Sequence, residues 1–382
     1  MRAGPGQVLA GRYRLTDHLE ALGAFAADER TGDVVRLRAL ELPAVLIGDQ
    51  EPDGPGAEPG ERLVRRVAEV GAAAPRHARM LQGAGAFVEG DLLWTVEERP
   101  AGQPLDALLG AGPLPPYRAA EVAADLAGAL RALHGAGLAH GNVTAASVLV
   151  GEDGAALLGG LLPGVAEEAL AEELGGPGGR RRYEVRAALV GPVAERWPLD
   201  GGPAGDCWAL GVLLHRMATG RAPYPESGVP ELVTAVREGR RVPAEACGPL
   251  GPLVERLVQS DPALRPTAAE ITAELAELLA RAPEPVDGPG AAGAPGLPGP
   301  RSAGPARRRR AKGAGAAATG RSRDGRSRDR HGGTAEAETA RAEAAGAARP
   351  PRIPPALLGP LLVGGVLLLL VLGVAAVVLF AG

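Results

Sequence analysis

Lysine is nearly absent from this chain: Lys312 is the single one among 382 residues. Any chemistry that needs a compact lysine ammonium is therefore excluded from everything that precedes it. Asparagine also occurs once, as Asn142. Two cysteines, Cys207 and Cys247, are too few for a disulfide framework. The first 14 residues lack the apolar core of a secretory signal, so free thiols in a reducing compartment are the expectation. The six histidines show no metal-ligand spacing with cysteine or carboxylate, and no metal site is expected. A net charge of −4 with a pI near 6.0 argues against a nucleic-acid partner.

What is abundant is alanine, glycine, proline and arginine, and their distribution divides the chain into three. Residues 8–280 carry apolar side chains throughout, in alternating strand-like and helix-like patterns. Residues 281–355 are Pro, Gly, Ala and Arg with almost no large apolar groups. Such a stretch cannot offset its ordering entropy by burial, so a disordered linker is expected. As a random coil it would reach about 45–50 Å on average. Residues 356–380 contain an uncharged apolar run that, as a helix, would be about 36 Å long. That exceeds a hydrocarbon core of about 30 Å, so a membrane span is expected. Arg349 and Arg352 just before it favour a cytoplasmic N-terminal region, making the span a C-terminal tail anchor at the cell membrane.

Within 8–280 the first part reads as strands. Residues 13–19 and 34–40 are rich in β-formers around the turn Thr31-Gly32-Asp33, and 87–97 reads as two strands around Glu89-Gly90-Asp91. Residues 61–74 have helical spacing, with Leu63, Val67 and Val70 on one face. Beyond residue 116 helices dominate: 117–134, 205–220, 230–239, 249–260 and 267–281, the last with Thr267 as N-cap. A small strand-rich lobe precedes a larger helical one, an α+β architecture.

The order of several short segments resembles the bacterial Ser/Thr protein kinases over residues 8–280. Leu9-Ala-Gly-Arg-Tyr-Arg-Leu15 is similar to that family's lead-in to its first strand, and residues 133–154 to its catalytic-loop region. Asp206-Cys-Trp-Ala-Leu-Gly211 and Asp261-Pro-Ala-Leu-Arg-Pro266 resemble two large-lobe signatures. The resemblance implies a two-lobed protein-kinase-like fold. It also implies structural roles for Glu195, Asp206, Trp208, Gly211 and Arg265. Asp206 would hold the backbone of the loop around His140, and Glu195 would pair with Arg265. His140 would pack beneath that loop, with His134, Trp208 and Met217 as core or loop supports.

The same resemblance exposes what is missing. Phosphoryl transfer needs a phosphate-cradling loop, a lysine held by a glutamate, metal ligands, and an aspartate that orients the attacking hydroxyl. Of the glycine-rich loop, expected within residues 19–29, only Gly23 remains. Arg38 stands at the lysine position, and the helix that should supply its glutamate offers Arg65 and Arg66. Glu69, one turn on, is then the carboxylate within reach of Arg38. Asn142 replaces the aspartate, and an amide is no base at neutral pH. Thr144 replaces the loop lysine, Ser147 a metal-ligating asparagine, and Gly160 a metal-ligating aspartate. Together these losses remove several orders of magnitude of rate.

The expectation is a pseudokinase: no enzyme activity, no catalytic residue, no metal and no required cofactor, with metal-free ATP binding left open. A divergent active Ser/Thr kinase is the alternative. Expected partners are cytoplasmic or membrane signalling proteins, such as an active kinase or a phosphopeptide-reading adaptor. Ser322, Ser327, Thr334 and Thr339 in the linker are candidate phosphate acceptors, and its arginines either attract anionic lipid or merely solvate a spacer.

Overall fold

The computed structural model describes residues 4–20, 23–43, 59–175, 180–197 and 201–282. The expected linker beyond residue 282 and the expected span at 356–380 lie outside them. Among the described residues no helix is long and apolar enough to cross a membrane.

The chain opens with β1 (Val8–Leu9), β2 (Tyr13–Glu20), β3 (Gly23–Asp28) and β4 (Val34–Glu41). Helix α1 (Pro59–Ala73) follows, then β5 (Gly83–Glu89) and β6 (Leu92–Glu98). These six strands form one antiparallel sheet in the order β1-β2-β3-β4-β6-β5. Period-two alternation sends Ala24, Ala26, Val35 and Leu37 to one face, where they meet Tyr13, Leu15, Trp94 and Val96 in a small core. Gly32 and Gly90, both at positive φ, close the tight turns at the two sequence positions read as turns.

The helical lobe begins with β7 (Gln103–Pro104), α2 (Leu105–Leu109) and α3 (Pro116–Gly135). A 3-10 turn at Ala145–Ser147 leads into the hairpin β8 (Val148–Val150) and β9 (Ala156–Leu158). Then come α4 (Leu161–Gly175), α5 (Arg180–Val190), a 3-10 turn at Ala194–Arg196 and α6 (Pro203–Thr219). The chain finishes with α7 (Val229–Glu238), α8 (Gly251–Leu257) and α9 (Ala268–Ala280). Leu126, Leu130 and Leu133 on α3 join Trp208, Leu210 and Leu214 on α6 in the main core. Gly211 sits where α6 crosses α8: a Cβ there would stand 2.5 Å from the Leu257 Cβ, so only glycine lets the helices approach this closely. Thr267 caps α9 in a reciprocal capping box with Glu270. Cys207 and Cys247 are both buried, free thiols.

Helix α4 is the element that shapes the site. Pro163 falls in its first turn, where a missing N–H costs little. Leu162, Ala166 and Leu170, four residues apart, then form an apolar face that packs on Leu63 and Val67 of α1 and on Leu93 of β6. α4 thus lies as a wedge between α1 and the sheet. Gly83 makes room for it, since a Cβ at that position would stand 2.3 Å from Leu162 Cδ1. Gly83→Ala is expected to destabilise the protein by about 1–3 kcal/mol through overpacking. In a Leu162→Ala background the same substitution should cost almost nothing. Urea unfolding of the four variants measures this coupling, and equal costs in both backgrounds would refute the wedge contact.

Candidate functional site

The site lies between the sheet and the helical lobe, where the loop after α3 meets the start of α4. His140 is buried on that loop, and burial pushes its pKa down to about 4, so the ring is neutral. Its Nδ1 accepts the backbone N–H of Asn142 at 3.2 Å. Asp206, in the first turn of α6, accepts the backbone N–H groups of His140 and Gly141, each at 2.7 Å, and also contacts His134 Nε2 at 2.9 Å. One buried carboxylate therefore fixes the loop from below.

Asn142 is engaged on both faces of its amide. Nδ2 donates to the Gly160 carbonyl at 2.8 Å, and Oδ1 accepts from the Arg196 guanidinium at 2.6 Å. Arg196 in turn pairs with Glu167 on α4. On the other side of Gly160, its N–H donates to Glu97 Oε1 at 2.6 Å. The result is a continuous polar chain, Glu97–Gly160–Asn142–Arg196–Glu167, joining β6, the start of α4, the loop and the 194–196 turn. Gly160 is at positive φ, and a Cβ there would stand 2.8 Å from Asn142 Nδ2, so the contact depends on glycine.

Glu97 is itself buried, and desolvation pushes its pKa up to about 7 against the Gly160 bond and the fields of Arg36 and Arg38. Arg38 lies on β4 opposite Gly23 on β3 and Thr95 on β6. Contrary to the sequence expectation, Glu69 makes no contact with Arg38. It is exposed on the outer face of α1 with Arg65 and Arg66, because Leu63, Val67 and Val70 take the inner one. The field of Arg38 does reach Glu97 and favours its charged form.

Ser147 uses its hydroxyl locally, donating to the Thr144 carbonyl at 2.8 Å and accepting the Thr144 N–H at 2.9 Å. Among the described residues no three His, Cys, Asp or Glu side chains come together to hold a metal ion. Phe25, Arg36, Leu81, Arg99 and Leu149 line a small cavity of about 20 Å³. Arg99 closes it by lying over the Phe25 ring at 5.3 Å. That volume holds about one water.

The expected Glu195–Arg265 pair does not form. Glu195 receives both arms of Arg216, at 2.6 and 3.0 Å, and Arg216 also reaches Glu226. Arg265 instead donates to the carbonyls of Gln259, Ser260 and Ala204. The last turn of α6 brings Arg216 directly to Glu195, while Arg265 follows the turn at Pro262–Leu264 and meets carbonyls just past the C-terminal end of α8, which attract a cation. Trp208 stacks on Tyr224, with centroids 5.5 Å apart.

Glu97, Glu167, Arg196 and Arg216 were not singled out in the sequence. For Glu97 a signal exists: it follows five strand residues of which four are buried, so it is a charge in a strand covered on both faces. Restoring a carboxylate at 142 should not restore a catalytic base. Asn142→Asp removes the donor to the Gly160 carbonyl and sets two acceptors face to face, at an expected cost of about 1–3 kcal/mol in urea unfolding at neutral pH. A variant as stable as the wild type would contradict the two-sided amide.

No family model matches the chain. It is 31% identical over 201 residues to the serine/threonine-protein kinase PkaA of Streptomyces coelicolor, covering 51% of this chain and 36% of that one. It is 28% identical over 196 residues to testis-specific serine/threonine-protein kinase 3 of Mus musculus, covering 48% and 67%. To the serine/threonine-protein kinase AfsK of Streptomyces coelicolor it is 32% identical over 176 residues, covering 44% and 20%. The chain thus spans about a third of PkaA and a fifth of AfsK. These likenesses, with a strand-rich lobe ahead of a helical one, support a protein-kinase-like domain.

Proposed function

We propose that this protein-kinase-like domain transfers no phosphate and works as a pseudokinase, a scaffold or regulator for signalling partners held at a membrane by residues 356–380. The observation that carries the reading is the polar chain through Asn142. At the place of the family's base stands an amide whose acceptor and donor are both engaged. Around it, Arg38 replaces the lysine, and Gly160 and Ser147 replace metal ligands. Each loss removes a different contribution to phosphoryl transfer, so no single alternative residue compensates.

A divergent active kinase is the competing reading, and its support is that the relatives are named Ser/Thr kinases. Incubating the full-length protein with labelled ATP and Mg²⁺ or Mn²⁺ separates the two. No incorporation above a no-protein control is expected, and sustained autophosphorylation would overturn the proposal. Thermal-shift titration with ATP, with and without metal, should give no stabilisation at millimolar nucleotide. The tether rests on the uncharged run before residue 381 and on Arg349 and Arg352 flanking it. Deleting residues 356–382 should move the protein from the membrane to the soluble fraction.

A further inference from the structure

The seam between β6 and the start of α4 is closed by a titratable group. Glu97 is 5% exposed and accepts the Gly160 N–H through Oε1 at 2.6 Å. Its second oxygen is packed as closely, since a Cβ at Gly159 would stand 2.9 Å from Oε2. The carboxyl group therefore sits against the two glycines that lead the chain into α4. Gly160 is at positive φ, and its carbonyl is held from the other side by Asn142 Nδ2. Beyond this hinge α4 is fastened by Leu162, Ala166 and Leu170, and by the pairs of Glu167 with Arg196 and Glu173 with Arg62.

The charged groups that face Glu97 are Arg36 and Arg38 on β4 and Glu98 beside it on β6. Opposite it on β5 stands Gly83, and α4 presents glycines here, so neither element brings a titrating side chain to the seam. Desolvation outweighs the two arginine fields and holds the buried acid protonated up to about 7. Once α4 lifts from β6 the same group is solvated and ionises from its ordinary 4.5. The closed seam thus keeps a proton that the open one gives up. Closure is unpenalised below about pH 4.5 and loses ground as pH rises towards 7.

We propose that Glu97 is a pH-sensitive latch: its neutral form keeps α4 wedged between α1 and the sheet, and its ionisation releases the helix about the Gly159–Gly160 hinge while the rest of the helical lobe stays folded. Release uncovers Leu63 and Val67 of α1 and Leu93 of β6. The latch is independent of whether the domain transfers phosphate.

Hydrogen exchange of the full-length protein at pH 5.5 and 8, corrected for the intrinsic pH dependence of amide exchange, tests the latch. At pH 8 the amides of 161–175 should be less protected than those of α3 and α6, which marks an opening smaller than global unfolding. Between the two pH values their opening constant should rise about tenfold or more. In Glu97→Gln, which still accepts the Gly160 N–H and cannot ionise, it should change by less than about twofold. The proposal is overturned if 161–175 are as protected as α3 and α6 at both pH values, if the wild-type opening constant stays flat, or if the glutamine variant keeps the rise. The first two outcomes need only the wild-type protein, so they decide the matter even if the variant misfolds.

Discussion

Arg216→Ala should lower the unfolding free energy by about 3–5 kcal/mol, because it leaves the Glu195 carboxylate buried without a counter-charge. The Glu195 side chain is 1% exposed and receives two of the guanidinium N–H groups. Burial works against the Arg216 charge, yet the bonds to Glu195 and Glu226 outweigh it and hold the guanidinium above its ordinary pKa. Glu226 also accepts the backbone N–H of Ala194, so one arginine ties the 194–196 turn to α6 from two sides. A double-mutant cycle locates the partner. Glu195→Ala with Arg216→Ala should show a coupling of about 2 kcal/mol or more, and Glu195→Ala with Arg265→Ala a coupling near zero. The reverse pattern would reinstate the pair expected from the family resemblance.

That exchange of partners marks where sequence reasoning stops. Residues 61–74, 117–134 and 267–281 are read as helices because their apolar periodicity is carried by a complete buried face, and for the last of them Thr267 supplies the cap. Asp206 is legible for a similar reason: its motif places a carboxylate one turn into α6, and the loop N–H groups lie within its reach. Whether Glu195 meets Arg216 or Arg265 depends on the orientation of two elements far apart in the chain, which spacing does not encode. Helix α4 is hidden differently. Gly159, Gly160, Pro163 and Gly164 blur the apolar periodicity at its start, although proline in a first turn is compatible with a helix. Without that helix the sequence gives no sign of Glu167 as the anchor of Arg196. The absence of lysine, by contrast, is legible without any alignment.

Glu97→Gln should stabilise the protein, by an amount that depends on pH. The ordinary glutamate pKa of 4.5 rises to about 7 in the folded protein, chiefly by desolvation. Below about pH 4.5 the carboxyl is protonated in both states, and Glu97 imposes no ionisation penalty. Between about 4.5 and 7 the unfolded chain ionises while the folded protein keeps its proton, so stability falls as pH rises. Above about 7 the loss levels off at about 3 kcal/mol, from 1.36 kcal/mol per pKa unit. Glutamine keeps an oxygen to accept the Gly160 N–H at the same place and cannot ionise. The variant should therefore match the wild type near pH 4 and exceed it by about 2–3 kcal/mol near pH 8 in urea unfolding. That figure is already net of the Arg36 and Arg38 fields, which favour the charged form. A difference between the two proteins that stayed flat from pH 4 to 8 would mean that Glu97 is not desolvated.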